Sequence, residues 1–208
     1  ITGKRHDFRV LYDVAYTSDG LIRAITLEHQ LRCGYSADLS RAVADRQVFH
    51  TDNTYYLDTF HIRSLRVKTH TQSNTAFRGF GGPQGILAIE HVIDDIARRL
   101  GLDALDVRKI NFYGQTERNI TPYNMTVEDN VIHALVDQLE KSCDYRRRRR
   151  EIDAFNAGSP ILKKGLALVP VKFGISFTAT HLNQAGALLH VYTDGSVLVS
   201  HGGTEMGQ

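Results

Sequence analysis

Residues 75–85 read Thr-Ala-Phe-Arg-Gly-Phe-Gly-Gly-Pro-Gln-Gly, the most informative stretch of this chain. Its four glycines surround Phe77, Arg78 and Phe80, and an apolar helical pattern follows at once. Glycine permits close backbone approach and positive φ angles, and a helix N-terminus offers free N–H groups to an anion. The stretch therefore predicts a loop that holds a flat, polar, anionic ligand. A tight turn into a helix with two core phenylalanines remains the other interpretation, because glycine punctuates many loops.

The apolar periodicity outside this loop predicts an α+β fold with mixed or antiparallel sheets and packed helices. Two strand pairs, each turning at Asp-Gly, are predicted within 8–33 and 187–201. Helices are predicted over 38–44, 84–100 and 130–150, with a further helix capped by Asp103. The side chains expected in the core from the last three helices are Ile86, Leu87, Ile89, Ile93, Ile96 and Ala97, then Leu105, Val107, Ile110 and Phe112, then Val131, Leu135, Leu139 and Tyr145.

A turn-rich loop over 114–129 separates the predicted helices and indicates a boundary between substructures. We therefore predict two units, residues 1–118 and residues 119–208. Because the chain begins at Ile1 rather than Met and stops at Gln208 within a glycine-rich segment, we expect it to be part of a longer polypeptide.

The charge balance argues against a dedicated nucleic-acid or membrane-surface protein, since 25 Lys and Arg face 23 Asp and Glu among 208 residues. No apolar stretch is long enough to span a bilayer. Cys33 and Cys143 are far apart, which predicts reduced thiols and a cytoplasmic location. The five arginines at 146–150 could bind nucleic acid, but acidic residues follow them, which favours a solvated helix end suited to the C-terminal helix dipole.

The stretch 74–85 resembles the molybdopterin-binding signature of xanthine dehydrogenases, the purine-oxidising branch of the molybdenum hydroxylases. Similarity to the same family extends, in the right order and spacing, over the segments 1–6, 46–53, 172–178, 182–188 and 201–208. Arg46, Phe80 and Thr178 together favour the xanthine branch over the aldehyde oxidase branch.

The resemblance implies a molybdenum ion held by a pyranopterin, where hypoxanthine and xanthine are hydroxylated to urate. It also implies that electrons leave through [2Fe–2S] clusters and FAD to NAD, in segments or subunits outside these residues. The cofactor carries out the redox chemistry, and the protein positions and polarises the substrate. An oligomeric enzyme is expected as well.

The resemblance implies two groups of site residues. For the substrate these are Arg46, which faces a substrate carbonyl and offsets the negative charge that develops there, Phe80 and Phe177, which enclose the purine ring, and Thr178, which hydrogen-bonds its edge. For the cofactor they are Phe77, Arg78, Gly79, Met206, Gly207 and Gln208, with the main chain of Arg78 lying near the molybdenum. The general-base glutamate of the family lies outside the chain, so these residues alone are expected to be inactive.

Three alternatives stay open. The same scaffold could act on aldehydes or on another N-heterocycle, and the identity of Arg46 bears on that choice. The loop at 79–85 could belong to a non-catalytic phosphate-binding module, although the Lys-Ser/Thr of a P-loop is missing after Gly85. An arginine-rich RNA-binding protein would depend on residues 146–150 alone.

Overall fold

The computed structural model describes residues 3–203, beginning with an antiparallel hairpin formed by β1 (Phe8–Tyr16) and β2 (Ile22–Gly34). The turn between them closes with Gly20 at φ +90° and its N–H bonded to the carbonyl of Thr17 at 2.9 Å. Half-buried and exposed side chains alternate along β1, so one face of the hairpin packs on the core. The first predicted hairpin is confirmed.

The strand β3 (Thr59–Lys68) pairs in parallel with β2 and completes a three-stranded mixed sheet in the order β1-β2-β3. A parallel neighbour requires a crossover, and α1 (Ser40–Phe49) provides it. The predicted helix over 38–44 therefore exists, but it begins later and runs longer than expected. This crossover helix places Arg46 next to the main chain of residues 174–176.

Two further helices are α2 (Gly82–Leu100), which packs on α1 and β1, and α3 (Ala104–Asn111), which packs on α2. The predicted ends are confirmed, since Gly101 adopts the left-handed conformation at φ +68° and the Asp103 side chain accepts a hydrogen bond from the N–H of Leu105 at 2.8 Å. Of the predicted α2 core residues, Leu87 is a correction because its side chain is 70% exposed. The main core is built mainly from apolar side chains of the sheet, of α2 and α3, and of residues 132–145.

The single helix predicted over 130–150 is wrong, because the chain forms α4 (Ile132–Ser142) and α5 (Tyr145–Gly158). The break lies at Asp144, whose φ of +53° cannot continue a right-handed helix. The predicted core face of Val131, Leu135 and Leu139 is exposed. The buried side chains are instead the adjacent Ile132 and Val136, and Tyr145 is buried as predicted.

The arginines at 146–150 begin α5 instead of ending a helix, so the predicted match to a C-terminal dipole is wrong. Acidic side chains compensate for the unfavourable position of positive charge near a helix N-terminus. Arg146 pairs with Asp106 and Glu140, and Arg147 pairs with one acidic residue just before α5 and one within it. Arg149 also lies 3.3 Å from a carboxylate oxygen of Asp103, so three of the five arginines are paired within residues 3–203.

A second antiparallel hairpin, β4 (Ala187–Val191) with β5 (Val197–His201), confirms the other predicted strand pair. Gly195 occupies its turn at φ +85°, and every residue of both strands is exposed. A 3₁₀ turn at Thr180–Leu182 precedes it. Between residues 3 and 203, no helix has the length and apolar character needed to cross a membrane.

Candidate cofactor and substrate site

The glycine-rich loop is built from two overlapping tight turns in front of α2. The N–H of Phe80 donates to the carbonyl of Phe77 at 2.7 Å, and the N–H of Gly82 donates to the carbonyl of Gly79 at 3.0 Å. Residues 79–81 all have positive φ angles, with Phe80 at +52°. A bulky residue rarely adopts this conformation, so its surroundings must hold it there, and such residues cluster at functional sites.

Three of the four loop glycines allow one part of the protein to approach another. A Cβ atom on Gly81 or Gly85 would collide with carbonyl oxygens of α1, and one on Gly82 would collide with the ring of Phe173. Gly81 and Gly85 thus let α2 lie directly against α1, and Gly82 leaves room for Phe173. At these three positions the structure supports the second interpretation of the sequence, a tight turn into a helix, and not a loop opened for a ligand.

The opposite side of the loop, around Phe77 and Arg78, has features that fit a polar cofactor. Arg5 donates through Nη2 to the carbonyl of Arg78 at 2.6 Å, and its guanidinium carbon lies 4.4 Å from the centre of the Phe77 ring. Phe77 itself is 57% exposed. Two buried atoms, Arg5 Nη1 and Gln84 Oε1, have no hydrogen-bond partner among the described residues. A buried unpaired donor and acceptor near this loop suit a pterin, which offers both kinds of partner.

Phe80 and Phe177, remote in sequence, meet edge to face with their ring centres 5.5 Å apart and their planes inclined at 65°. The structure thus brings together the two predicted aromatic walls. A planar ligand between two rings needs a gap of about 7 Å, twice a normal contact distance. The rings therefore have to separate before a heterocycle can lie between them.

A cavity of about 420 Å³ opens beside this aromatic pair. Phe177 and Thr178 line it, together with side chains that include Lys172, Tyr123 and His50. Such a volume lies within the range of small-molecule sites. Of the four predicted substrate residues, two line the cavity, Phe80 touches one of these, and Arg46 bonds to the adjoining main chain.

Arg46 is buried on α1 and directs its guanidinium at two main-chain carbonyls. Its Nη1 donates to the carbonyl of Ser176 at 2.8 Å, and its Nη2 donates to that of Gly174. The guanidinium also lies 5.0 Å from the centre of the Phe173 ring. Burial lowers the pKa of Arg46, yet an arginine remains protonated. Arg46 Nε is buried without a partner in residues 3–203, so the side chain keeps one free donor.

His50 lies one turn after Arg46 and binds the same segment of main chain. The N–H of Gly174 donates to His50 Nε2 at 3.0 Å, and His50 Nδ1 lies 2.8 Å from the carbonyl of Arg46. Because a carbonyl can only accept, Nδ1 carries the proton and the ring is neutral. Burial, with smaller contributions from Arg46 and Lys172, lowers the pKa of His50.

Asn53 and Asp52 bind the same stretch of main chain, residues 170–177, near its start. Asn53 accepts from the N–H of Lys172 and donates to the carbonyl of Pro170, both at 3.0 Å. Asp52 Oδ2 lies 3.0 Å from Lys172 Nζ and accepts from the hydroxyl of Tyr113 at 2.6 Å. Burial alone would lower the pKa of Lys172, but the charges and hydrogen bonds of Asp52 and Tyr123 together outweigh burial and raise it.

Sequence reasoning assigned no role to His50, Asp52 or Asn53, although they lie within a segment that resembles the family. Spacing gave one usable signal, since residues four apart on a helix share a face and His50 follows Arg46 by four. The predicted cofactor residues Met206, Gly207 and Gln208 lie outside the described residues. In the part of the chain that is described, no group of three or more His, Cys, Asp or Glu is placed to hold a metal ion.

Residues 1–112 match a family model described as "Molybdopterin cofactor-binding domain", and residues 138–208 match a second with the same description. The whole chain is 48% identical to a xanthine dehydrogenase of Drosophila subobscura and 46% identical to a xanthine dehydrogenase/oxidase of Gallus gallus. In both cases the alignment covers 100% of this chain but 15% of the relative.

Solved structures show the same fold at low sequence identity. Aldehyde oxidoreductase from Desulfovibrio gigas matches with a TM-score of 0.63 and 20% identity, over 95% of this chain and 21% of that one. Quinoline 2-oxidoreductase from Pseudomonas putida 86 matches with a TM-score of 0.63 and 22% identity, over 75% and 21% of the two chains. These matches confirm the predicted α+β architecture, and the family models confirm molybdopterin as the predicted cofactor. The chain belongs to the molybdopterin cofactor-binding domain family and corresponds to part of the molybdopterin-binding region of the xanthine dehydrogenases.

Proposed function

We propose that this chain forms one wall of the molybdenum–pterin site of a xanthine dehydrogenase that hydroxylates hypoxanthine and xanthine to urate. The observation that carries the proposal is the contact between Phe80 of the glycine-rich loop and Phe177 beside the cavity. A purine has two π faces and polar edges, so it calls for two aromatic walls with hydrogen-bonding groups around them. The relatives named xanthine dehydrogenase support the same substrate class.

The glycine-rich loop would hold the cofactor through the main chain of residues 77–79, with the Arg78 backbone near the molybdenum. Arg5 Nη1 and Gln84 Oε1 would supply further hydrogen bonds, since both are buried and unpaired within residues 3–203. Met206, Gly207 and Gln208 would contact the pterin from the second glycine-rich motif. When bound, the molybdenum–pterin supplies the two-electron oxidation of an electron-poor carbon.

Around the substrate, Phe80 and Phe177 would separate and enclose the purine ring, while the hydroxyl of Thr178 bonds to its edge. The fixed positive charge of Arg46 would offset negative charge that develops on the heterocycle, and its free Nε is the donor left for a substrate carbonyl. A buried guanidinium acts strongly here because little water screens it.

The rest of the enzyme is also proposed. [2Fe–2S] clusters and FAD, in segments or subunits outside these residues, would carry electrons to NAD. The general-base glutamate would also lie outside these residues. Residues 1–208 alone would then turn over no substrate. Both cysteines are free, which suits a cytoplasmic enzyme, and an oligomer is expected.

One observation favours a second candidate, oxidation of an aldehyde or another N-heterocycle on this scaffold. Both Nη atoms of Arg46 already bond to main-chain carbonyls, which leaves less of its charge available to a purine. A substrate without a carbonyl at that position would not need the arginine.

Substrate profiles of the full-length enzyme would test the choice. Arg46→Met should lower kcat for xanthine about 100-fold, the usual effect of removing one transition-state donor, while oxidation of an aromatic aldehyde falls much less. Arg41→Met makes the same change at an exposed position of α1 and should leave both activities near wild type. Metal analysis and fluorescence of the released pterin should show an unchanged cofactor content. Equal losses on both substrates would contradict the role given to Arg46.

A further inference from the structure

We propose that His50 is a positioning residue, which ties the main chain at Gly174 to α1 and thereby sets where Phe177 and Thr178 stand in the cavity. The proposal rests on the proposed function, because it takes those two residues to contact the substrate. His50 itself would act only through the segment of residues 170–177.

The 170–177 segment depends on side chains for its place. It belongs to no helix or strand, and in residues 3–203 the main-chain hydrogen bonds shown for it all go to side chains. Asn53 holds its start, and Asn183 holds both the N–H and the carbonyl of Phe177 at its end. His50 and Arg46 hold the middle. If one such bond is lost, no neighbouring ladder of backbone hydrogen bonds keeps the segment in place.

Gly174, in the middle of this segment, is bound at both of its main-chain groups, as Phe177 is at the end. Its N–H donates to His50 Nε2 at 3.0 Å, and its carbonyl accepts from Arg46 Nη2. Because the His50 ring also packs on Phe173, with ring centres 4.8 Å apart, it restrains this turn of chain from two sides. The aromatic wall Phe177 follows three residues later.

The chemistry of the contact requires a donor and an acceptor on one rigid side chain. His50 Nδ1 is the donor to the carbonyl of Arg46, and Nε2 is the acceptor for Gly174. Glutamine can place an acceptor near the position of Nε2. The shorter asparagine reaches the position of Nδ1 and leaves the N–H of Gly174 without a partner. His50→Gln and His50→Asn are thus a matched pair that differ in the proposed contact.

The test uses the full-length, cofactor-loaded enzyme with two measurements. His50→Asn should raise KM for xanthine about tenfold, the size expected for one lost hydrogen bond, with a smaller change in kcat. Amide hydrogen exchange of a peptide covering 172–178 should also become about tenfold faster. His50→Gln should stay close to wild type in both measurements, and all three proteins should hold the same molybdenum and pterin.

Two outcomes would overturn the proposal. His50→Asn could match wild type in both exchange and KM, or His50→Gln could be as impaired as His50→Asn, which would indicate loss of ring volume rather than of the acceptor. If His50→Asn does not fold, His50→Gln decides alone, since fast exchange in it contradicts the proposal. A wild-type enzyme that binds molybdopterin but does not oxidise xanthine would instead refute the proposed function, while the exchange data would still test the contact.

Discussion

His29 shows how a single buried residue can make the sheet sensitive to pH. It lies fully buried on β2, edge to face with Phe8, and its Nδ1 has no partner in residues 3–203. Burial lowers its pKa to about 4. The protonated ring would be a buried charge whose Nε2 lies 3.5 Å from the amide nitrogen of Gln47, so the neutral form is the one that suits the folded sheet.

The expected consequence is a loss of stability in acid. The unfolded chain protonates His29 near pH 6.5 and the folded chain near pH 4, so the unfolded state binds more protons between these values. The stabilising contribution is complete above about pH 6.5 and declines as the pH falls toward 4, by up to about 3 kcal/mol. Hydrogen exchange of a β2 peptide between pH 7.5 and 4.5, corrected for intrinsic rates, should reveal it. His29→Gln should flatten that dependence, and an equally steep variant would contradict the assignment.

At the scale of elements, the contact between α1 and α2 depends on glycines that face carbonyl oxygens. Gly81 combines a positive φ of +99° with a Cβ position that α1 occupies. Gly81→Ala should therefore strain the turn and push α2 away from α1, which lowers the free energy of unfolding by about 2 kcal/mol or more. The urea midpoint and the amount of bound molybdopterin would both fall.

Gly101 provides the control for Gly81. Its φ is also positive, at +68°, but a Cβ atom there would meet open space. Gly101→Ala should therefore cost only the backbone strain, about 1 kcal/mol, and leave molybdopterin binding intact. If the two variants are equally destabilised, the strain of a positive φ explains both and the collision with α1 adds nothing.

Secondary structure was predictable where the chemistry of the chain is local. Asp-Gly turns gave both hairpins, and Gly101 and Asp103 marked helix ends by conformation and capping. The break at Asp144 was not predictable, because no glycine or proline interrupts residues 131–150. Two adjacent stripes on α4 also have the same spacing, so periodicity alone could not choose the buried one.

At the scale of the whole molecule, the site joins residues that are remote in sequence. Phe80 and Phe177 could be proposed as a pair only through resemblance to a family, because no local pattern links them. The bonds from Arg46 to the carbonyls of Gly174 and Ser176 span 128 and 130 positions. Such contacts follow from packing, which propensity and periodicity do not encode.

Removing the cofactor should loosen one side of the glycine-rich loop and leave the other side fixed. Residues 79–81 are left-handed, and next to them the loop makes short turn bonds and accepts one bond from Arg5 at the carbonyl of Arg78. Its strain must therefore be borne by neighbours, and Arg5 Nη1 and Gln84 Oε1 need partners that the described chain does not supply. Molybdopterin would provide them, whereas the packing of α2 on α1 needs no ligand.

Hydrogen exchange of the loaded and cofactor-free enzyme would measure this difference. Amides of 77–82 should exchange at least about tenfold faster without molybdopterin, because a ligand that binds only the ordered loop stabilises it by mass action. Amides of 89–97 in the buried part of α2 should be unchanged. Equal protection of the loop in both forms would mean that the protein alone holds these turns, and that the cofactor binds elsewhere.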